Sequence, residues 1–365
     1  MAQTGTSGTD GPVAWNVAEQ VARQLLRRSP PLSRSVLQRL DADFAELTAL
    51  AEELVSIETG LTSTAGPAVA LVTDRPSWVH ANAQSFEQLL KPLSERMASG
   101  PPRLQRALSP VSRVVSGVEV GGLLSWMSGR VLGQYDPFAG SDGGPGDVIY
   151  YVGPNIVELE RRHGFPPREF RLWIALHEVT HRMQFTGVPW LRSYFLDLVD
   201  RGMALVTPEG RAVLDSVLRA ATEMRAGRNP LAESGMVGLL ATTEQLATLR
   251  EAQALMSLLE GHGDIVMNLA GDDRIPASGR FADTLRRRRE SATGLSRTIQ
   301  QLIGLDAKMR QYAQGEEFIE RIRETGGNEL FSTVWSAPEM LPTMEEIRDP
   351  DVWIERVAGV APARA

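Results

Sequence analysis

The 365-residue chain contains no cysteine. Disulfides, iron–sulfur clusters, thiolate zinc sites and cysteine nucleophiles are therefore excluded, and any bound metal must sit on His, Asp or Glu. A cationic surplus is missing too. With 38 Lys and Arg against 45 Asp and Glu, the formal charge is -7. That argues against nucleic acid or an anionic membrane as the main partner, since both require a basic face. Histidine is scarce, with five in all, and aromatic residues make up only 6%. No Gly-x-Ser-x-Gly nucleophile elbow occurs. The glycine-rich run at 140–146 lacks the Gly-Lys-Ser/Thr ending of a phosphate loop, so it reads as a linker or a substrate lid.

Long uninterrupted apolar runs are also wanting. The nearest approach, Val114 to Gly133, has the length of a bilayer span, yet Glu119 and Arg130 would each cost about 2.5–3.5 kcal/mol at its centre. It reads instead as a buried helix of small residues, whose glycines at 117, 121, 122, 129 and 133 leave room for another helix close by. The first twelve residues are small and polar, with no basic-then-apolar order. They read as a flexible tail and not as a secretion signal, and a cytoplasmic location is expected.

What is present is a chain 42% hydrophobic and 23% charged, able to bury a large core. Its length favours two domains or one large one. Helical periodicity dominates over residues 16–28, 36–61 and 87–98, the last starting or kinking at Pro92. The loop signal from Tyr135 to Gly146 sets the main internal boundary near residue 140. The expected division is a tail (1–12), an N-terminal helical part (13–140), a catalytic core (141–270) and a C-terminal helical part (271–365); residues 13–365 could equally form one compact unit. Asp147 to Val152 is the clearest strand, with five consecutive β-branched or aromatic residues stopped by Gly153-Pro154. Asn155 is expected to cap a short helix reaching about His163, and Pro167 to open the next one. Arg286 to Arg289 reads as a solvated helix face, and Pro189-Trp190 as a rigid turn.

From Arg168 to Gln184 the spacing predicts a helix with Phe170, Trp173, Ile174, His177 and His181 along one stripe. It contains His177-Glu178-Val179-Thr180-His181, the H-E-x-x-H pattern. Residues four apart on a helix share a face, so both imidazoles can point at one metal ion. Glu178 then lies beside the ion without having to ligate it, and can take a proton from a water that the metal makes acidic. A chance occurrence is expected in about one chain of this length in a hundred or fewer. The rival reading is two histidines hydrogen-bonded within a core.

A catalytic zinc commonly has three protein ligands and one open position. The metzincin extension fails, because Gln184 and Gly187 stand where it needs a glycine and a third histidine. Downstream, Glu260, His262 and Asp264 close a long helical pattern that starts near Thr243. Glu260 ranks first as the third ligand, because a carboxylate among Leu258, Leu259, Ile265 and Val266 needs a partner. His262 and Asp264 remain alternatives. Asp264 shares a face with Glu260, which also suits a carboxylate that receives the outer N–H of a ligating histidine.

His177-Glu178-x-x-His181 followed by a helical Glu-x-x-x-Asp resembles the gluzincin branch of the zincin metallopeptidases. Several further strings resemble an actinobacterial zincin-like hydrolase family of unknown function, named in association with deazaflavin-coenzyme biosynthesis. They are Arg130 to Asp136, Pro154-Asn155-Ile156, Phe170 to Trp173, Gln184-Phe185, Val188 to Leu191, Glu260-Gly261-His262, Gln311-Tyr312 with Gly315, and Trp335 to Val357. The resemblance spans about residues 14–357. It implies a predominantly helical α+β fold of zincin type, with a small sheet beside the motif helix. It further implies that the strand at 147–152 is an edge strand able to pair with an extended substrate, with Tyr150 or Tyr151 facing the cleft. The resulting expectation is a zinc hydrolase that cleaves an amide, most simply a peptide bond, with one zinc on His177, His181 and Glu260 and with Glu178 as the proton acceptor. The alternatives are a non-catalytic scaffold on the same fold, or a small-molecule amidohydrolase in coenzyme metabolism.

Overall fold

A computed structural model of the chain describes residues 11–27, 31–100, 105, 108–137, 147–204, 243–271, 274–290 and 305–360. The glycine-rich run at 140–146, most of the N-terminal tail, and the side chains of Arg288, Arg289, Gln311 and Tyr312 lie outside the described residues. The helices are α1 (Trp15–Leu26), α2 (Arg34–Thr59), α3 (Arg75–Ser99), α4 (Pro110–Ser128), α5 (Gly153–His163), α6 (Pro167–Gly187), α7 (Leu191–Ala204), α8 (Thr243–Gly271), α9 (Ser278–Glu290), α10 (Leu305–Ser332), α11 (Met344–Arg348) and α12 (Pro350–Val360). Three strands, β1 (Val69–Thr73), β2 (Gly133–Tyr135) and β3 (Val148–Val152), and two short 3-10 turns at Thr333–Trp335 and Pro338–Met340 complete the described elements. This is the predominantly helical α+β architecture with a small sheet that the sequence leads one to expect. The chain divides into two compact units, residues 1–53 with 65–182, and residues 54–64 with 183–365.

In the first unit the sheet order is β1-β3-β2, with β1 parallel and β2 antiparallel to β3. Val148, Ile149, Tyr151 and Val152 are buried, as befits a central strand covered on both faces. This corrects the expectation of an edge strand at 147–152: the β3 main chain is already paired on both sides. The strand β1 was not anticipated. Its outward residues Val69 and Leu71 are exposed, so its short run carries little of the apolar signal that marks a buried strand.

Asp74 caps α3, its side chain accepting the Ser77 N–H at 2.8 Å, with Pro76 in the first turn. The helix therefore starts upstream of the expected residue 87, and Pro92 lies inside it. Asn155 does not cap α5, which begins at Gly153. Its buried amide donates to Ser128 O and Val131 O at 2.7 and 2.6 Å, while its carbonyl accepts Arg75 Nε–H at 2.8 Å. That fastens α5 to the end of α4 and the start of α3.

The glycines of α4 do admit a neighbour. A Cβ at Gly117 would lie 2.6 Å from Ala14 O, and one at Gly121 would collide with Ala18 O, so α1 approaches this face main chain to main chain. Val111, Val114, Val115 and Val118, toward the start of the same helix, are exposed. Helix α4 is therefore only partly buried, where a buried helix was expected. Among the described residues, no helix is long and apolar enough to cross a membrane.

The second unit packs α7, α8, α10, α11 and α12 around Leu191, Leu258, Phe318, Ile322, Trp335 and Trp353. Helices α8 and α10 meet where Gly261 faces Gly315; a Cβ on Gly261 would fall 2.5 Å from the Gly315 carbonyl carbon. Thr343 and Glu346 form a capping box that starts α11. Pro189 and Trp190 form the expected turn, with Trp190 Nε1–H donating to Trp335 O at 3.0 Å. On α9, Arg286 and Arg287 are exposed, as expected of a solvated face.

Candidate metal centre

Helix α6 opens at Pro167, where a missing N–H costs nothing, and Glu169 in its first turn suits the positive end of the helix. Its interior is apolar almost all round: Phe170, Leu172, Trp173, Ile174, Ala175, Leu176, Val179 and Met183 are buried. From Leu172 to Gln184 only His177 and His181 keep partial exposure. Two arginines three turns apart pin the helix. Arg171 binds Glu160 through two bonds of 2.7 and 2.8 Å and also reaches Asp43 of α2. Arg182, with no exposed surface, binds Glu52 of α2 at 2.6 Å, Asp147 at 2.8 Å and Gly66 O at 2.5 Å. Neither arginine stands out in the sequence as a site residue. Their signal was a basic residue set in an otherwise apolar helix.

The two imidazoles face each other, with Nε2 atoms 3.2 Å apart and ring planes at 85°. Two nitrogens on one tetrahedral zinc, each at about 2.0–2.1 Å, would stand roughly 3.3–3.4 Å apart. The pair is thus spaced to share an ion without moving the helix. Among the described residues, one nitrogen each of His177 and His181 and one carboxylate oxygen of Glu260 lie within 4.8 Å of one another, a group that could hold a metal ion. Two imidazoles and a carboxylate are a donor set that suits a zinc with an open position.

Glu178 is buried at 8% exposure, one residue away from the ligand stripe. Strand β2 holds it: the Tyr135 N–H donates to Glu178 Oε2 at 3.0 Å. Beneath the carboxylate is Gly133, where an added Cβ would lie 2.5 Å from Glu178 Cγ and 2.7 Å from Oε1. No local pattern marks the Tyr135–Glu178 pairing, which joins residues 43 apart. A side chain at position 133 must push the carboxylate aside. Gly133→Ala is expected to keep the metal and to lower turnover by about 10²-fold, the effect of displacing a reacting group by an ångström. Metal content and turnover measured on one preparation check it.

On α8, Glu260 and Asp264 are partly buried and one turn apart, and Asp264 is not part of the three-residue group. His262 is buried at 3% exposure, its ring tilted against Phe331 and Trp335 at 5.2 and 5.4 Å. Tyr151 points away from solvent into the first unit: it stacks on Phe44 at 3.9 Å, and its hydroxyl pairs with Thr48 at 2.8 Å. Burial, and then the nearby Glu178 charge, raise its phenol above the ordinary range despite the Thr48 bond. Tyr150 is half-buried and packs beside the cluster of Trp15, Trp78 and Leu124. Its phenol is also raised, by burial and then by Asp136.

A helical α+β fold whose two motif histidines and a glutamate form a group that could hold a metal ion has the features of a zincin-like protein. The family model for zincin-like metallopeptidases matches residues 13–354, and the chain belongs to that family. It is similar to a solved structure from Chloroflexus aurantiacus, described as a candidate hydrolase with a novel fold, at 33% identity and a TM-score of 0.70. The likeness covers 95% of this chain and 99% of that one. No curated protein matches the sequence. Family and neighbour together support a zinc hydrolase in general terms.

Proposed function

We propose that the protein is a metallopeptidase of gluzincin type that cleaves amide bonds, with zinc held by His177, His181 and Glu260. The observation that carries the reading is the facing imidazole pair, grouped with Glu260, beside a buried Glu178 held by the β2 main chain. Bound zinc would act as a Lewis acid toward the amide carbonyl and would make a water acidic. Glu178 accepts the proton of the attacking water and returns it to the leaving amine. The Tyr135 N–H keeps the accepting carboxylate aimed. Glu260 is preferred to His262 because the latter is packed between two aromatic rings. Asp264, one turn on, stands as an outer carboxylate.

Protein purified without chelator is expected to carry about one zinc per chain, and His177→Ala to carry none. Elemental analysis of both decides it, and equal metal in the two would remove the site.

One observation favours a second reading, a small-molecule amidohydrolase. With both edges of β3 paired, that strand offers no main chain to an extended peptide. Resemblance to the actinobacterial family would place such an enzyme near deazaflavin-coenzyme metabolism. Turnover of small amides but not of a peptide library would favour it.

A further inference from the structure

We infer that Gln184 is a positioning residue for the metal site, acting on the α8 turn that carries Glu260; the inference rests on the zinc reading above. Gln184 follows His181 by three residues on α6 and has no exposed surface. Its amide Nε2 lies 3.1 Å from Leu259 O and 3.0 Å from His262 Nδ1. An amide NH₂ carries two hydrogens and no lone pair, so both contacts are donations. His262 Nδ1 is therefore the accepting nitrogen, and the ring proton of a neutral His262 sits on Nε2. The two acceptors flank Glu260 in sequence, one residue before it and two after. One side chain, a turn beyond a histidine ligand, thus grips both sides of the carboxylate ligand's own turn.

The same turn is backed from another direction. Gly261 meets α10 at Gly315 with no room for a Cβ, and the Gly315 Cα side is closed by Ser257 O. The segment 259–262 can neither slide toward α10 nor pull away from Gln184 without breaking a buried hydrogen bond. Leu259 O and His262 Nδ1 would then be left without that donor inside the core, a cost that holds the turn in place. The ligand carboxylate is set before any ion arrives, which lowers the ordering cost of binding. His262, on this account, is a part of the clamp and not a ligand.

The test reads zinc affinity directly, by competition with a chromogenic chelator, and needs no substrate. Gln184→Met and Gln184→Leu each remove both donors, the first at nearly the same volume. Each is expected to bind zinc about 10- to 100-fold more weakly than wild type, the usual effect of losing a group that orients a ligand. Trp353→Phe serves as the control: it loses a buried bond to Met340 O in the same unit, and it is expected to lower the melting temperature without moving zinc affinity. Should neither Gln184 variant fold, His262→Phe is measured, which keeps a ring against Phe331 and Trp335 and removes one acceptor; weaker zinc binding supports the clamp. Wild-type affinity in any folded variant of Gln184, or in His262→Phe where that is the variant measured, overturns the inference while leaving the metal site standing. Wild-type protein that binds no zinc, or a His177→Ala variant that binds it equally, overturns the site itself.

Discussion

Glu178→Gln is expected to retain zinc and to lose turnover by about 10²- to 10⁴-fold, the contribution of a positioned proton acceptor. The substitution is informative because it leaves the geometry intact. The glutamine carbonyl oxygen can still accept the Tyr135 N–H that now holds Oε2 at 3.0 Å, and the amide fills the same volume above Gly133. What disappears is the basicity. Elemental analysis and turnover on peptide and small-amide panels, run on matched preparations, separate the outcomes. Metal kept with activity lost supports Glu178 as the acceptor. Equal activity in both proteins removes it from the chemistry, and silence in both against every panel favours a non-catalytic scaffold.

Arg182→Met is expected to destabilise the fold by about 3–5 kcal/mol, because it empties a fully buried cation site and leaves two partly buried carboxylates without their counter-charge. The guanidinium has no exposed surface and serves Glu52, Asp147 and Gly66 O together. Asp147 holds a left-handed backbone, with φ at +66°, and opens β3, while Glu52 also accepts the Ala68 N–H just ahead of β1 at 3.1 Å. The arginine therefore joins the starts of two neighbouring strands to the motif helix. Denaturant unfolding of the two proteins gives the difference, and a loss below about 1 kcal/mol would mean that the carboxylates find water instead. The exposed pair of Arg168, on the same helix as Arg182, with Glu46 of α2 is a useful contrast: both side chains sit in solvent, and its removal is expected to leave stability nearly unchanged.

The motif helix was legible in the sequence because its signals are local. Pro167 marks its start, the apolar period gives its buried faces, and the spacing of His177 and His181 puts both rings on one stripe. Glu260 stood out for a similar reason, as a carboxylate in an apolar run. The features that complete the site depend on pairing between distant segments, and no local pattern encodes that. Strand β1 is short and half exposed, so the central position of β3 could not be read, and the strand was given an edge it does not have. Gly133 looked like one of a series of helix glycines, whereas it lies in β2 under Glu178. Asn155 looked like a cap and is a buried fastener. Gln184 stands in the sequence as a failed metzincin offset and as part of a family-like string, and neither shows that it reaches across to Leu259 and His262.

The seam between α1 and α4 has a consequence for how disturbance travels. Where carbonyl oxygens of Ala14 and Ala18 rest on bare glycine carbons, no rotamer exists that could absorb a shift. Helix α4 ends at Ser128, and only a few residues later the chain enters β2 and offers the Tyr135 amide to Glu178. A bulge introduced at that seam has little slack through which to dissipate. The first unit thus forms a stiff linkage there, in which the placement of Glu178 is expected to depend on the fit of two backbones far from it in sequence.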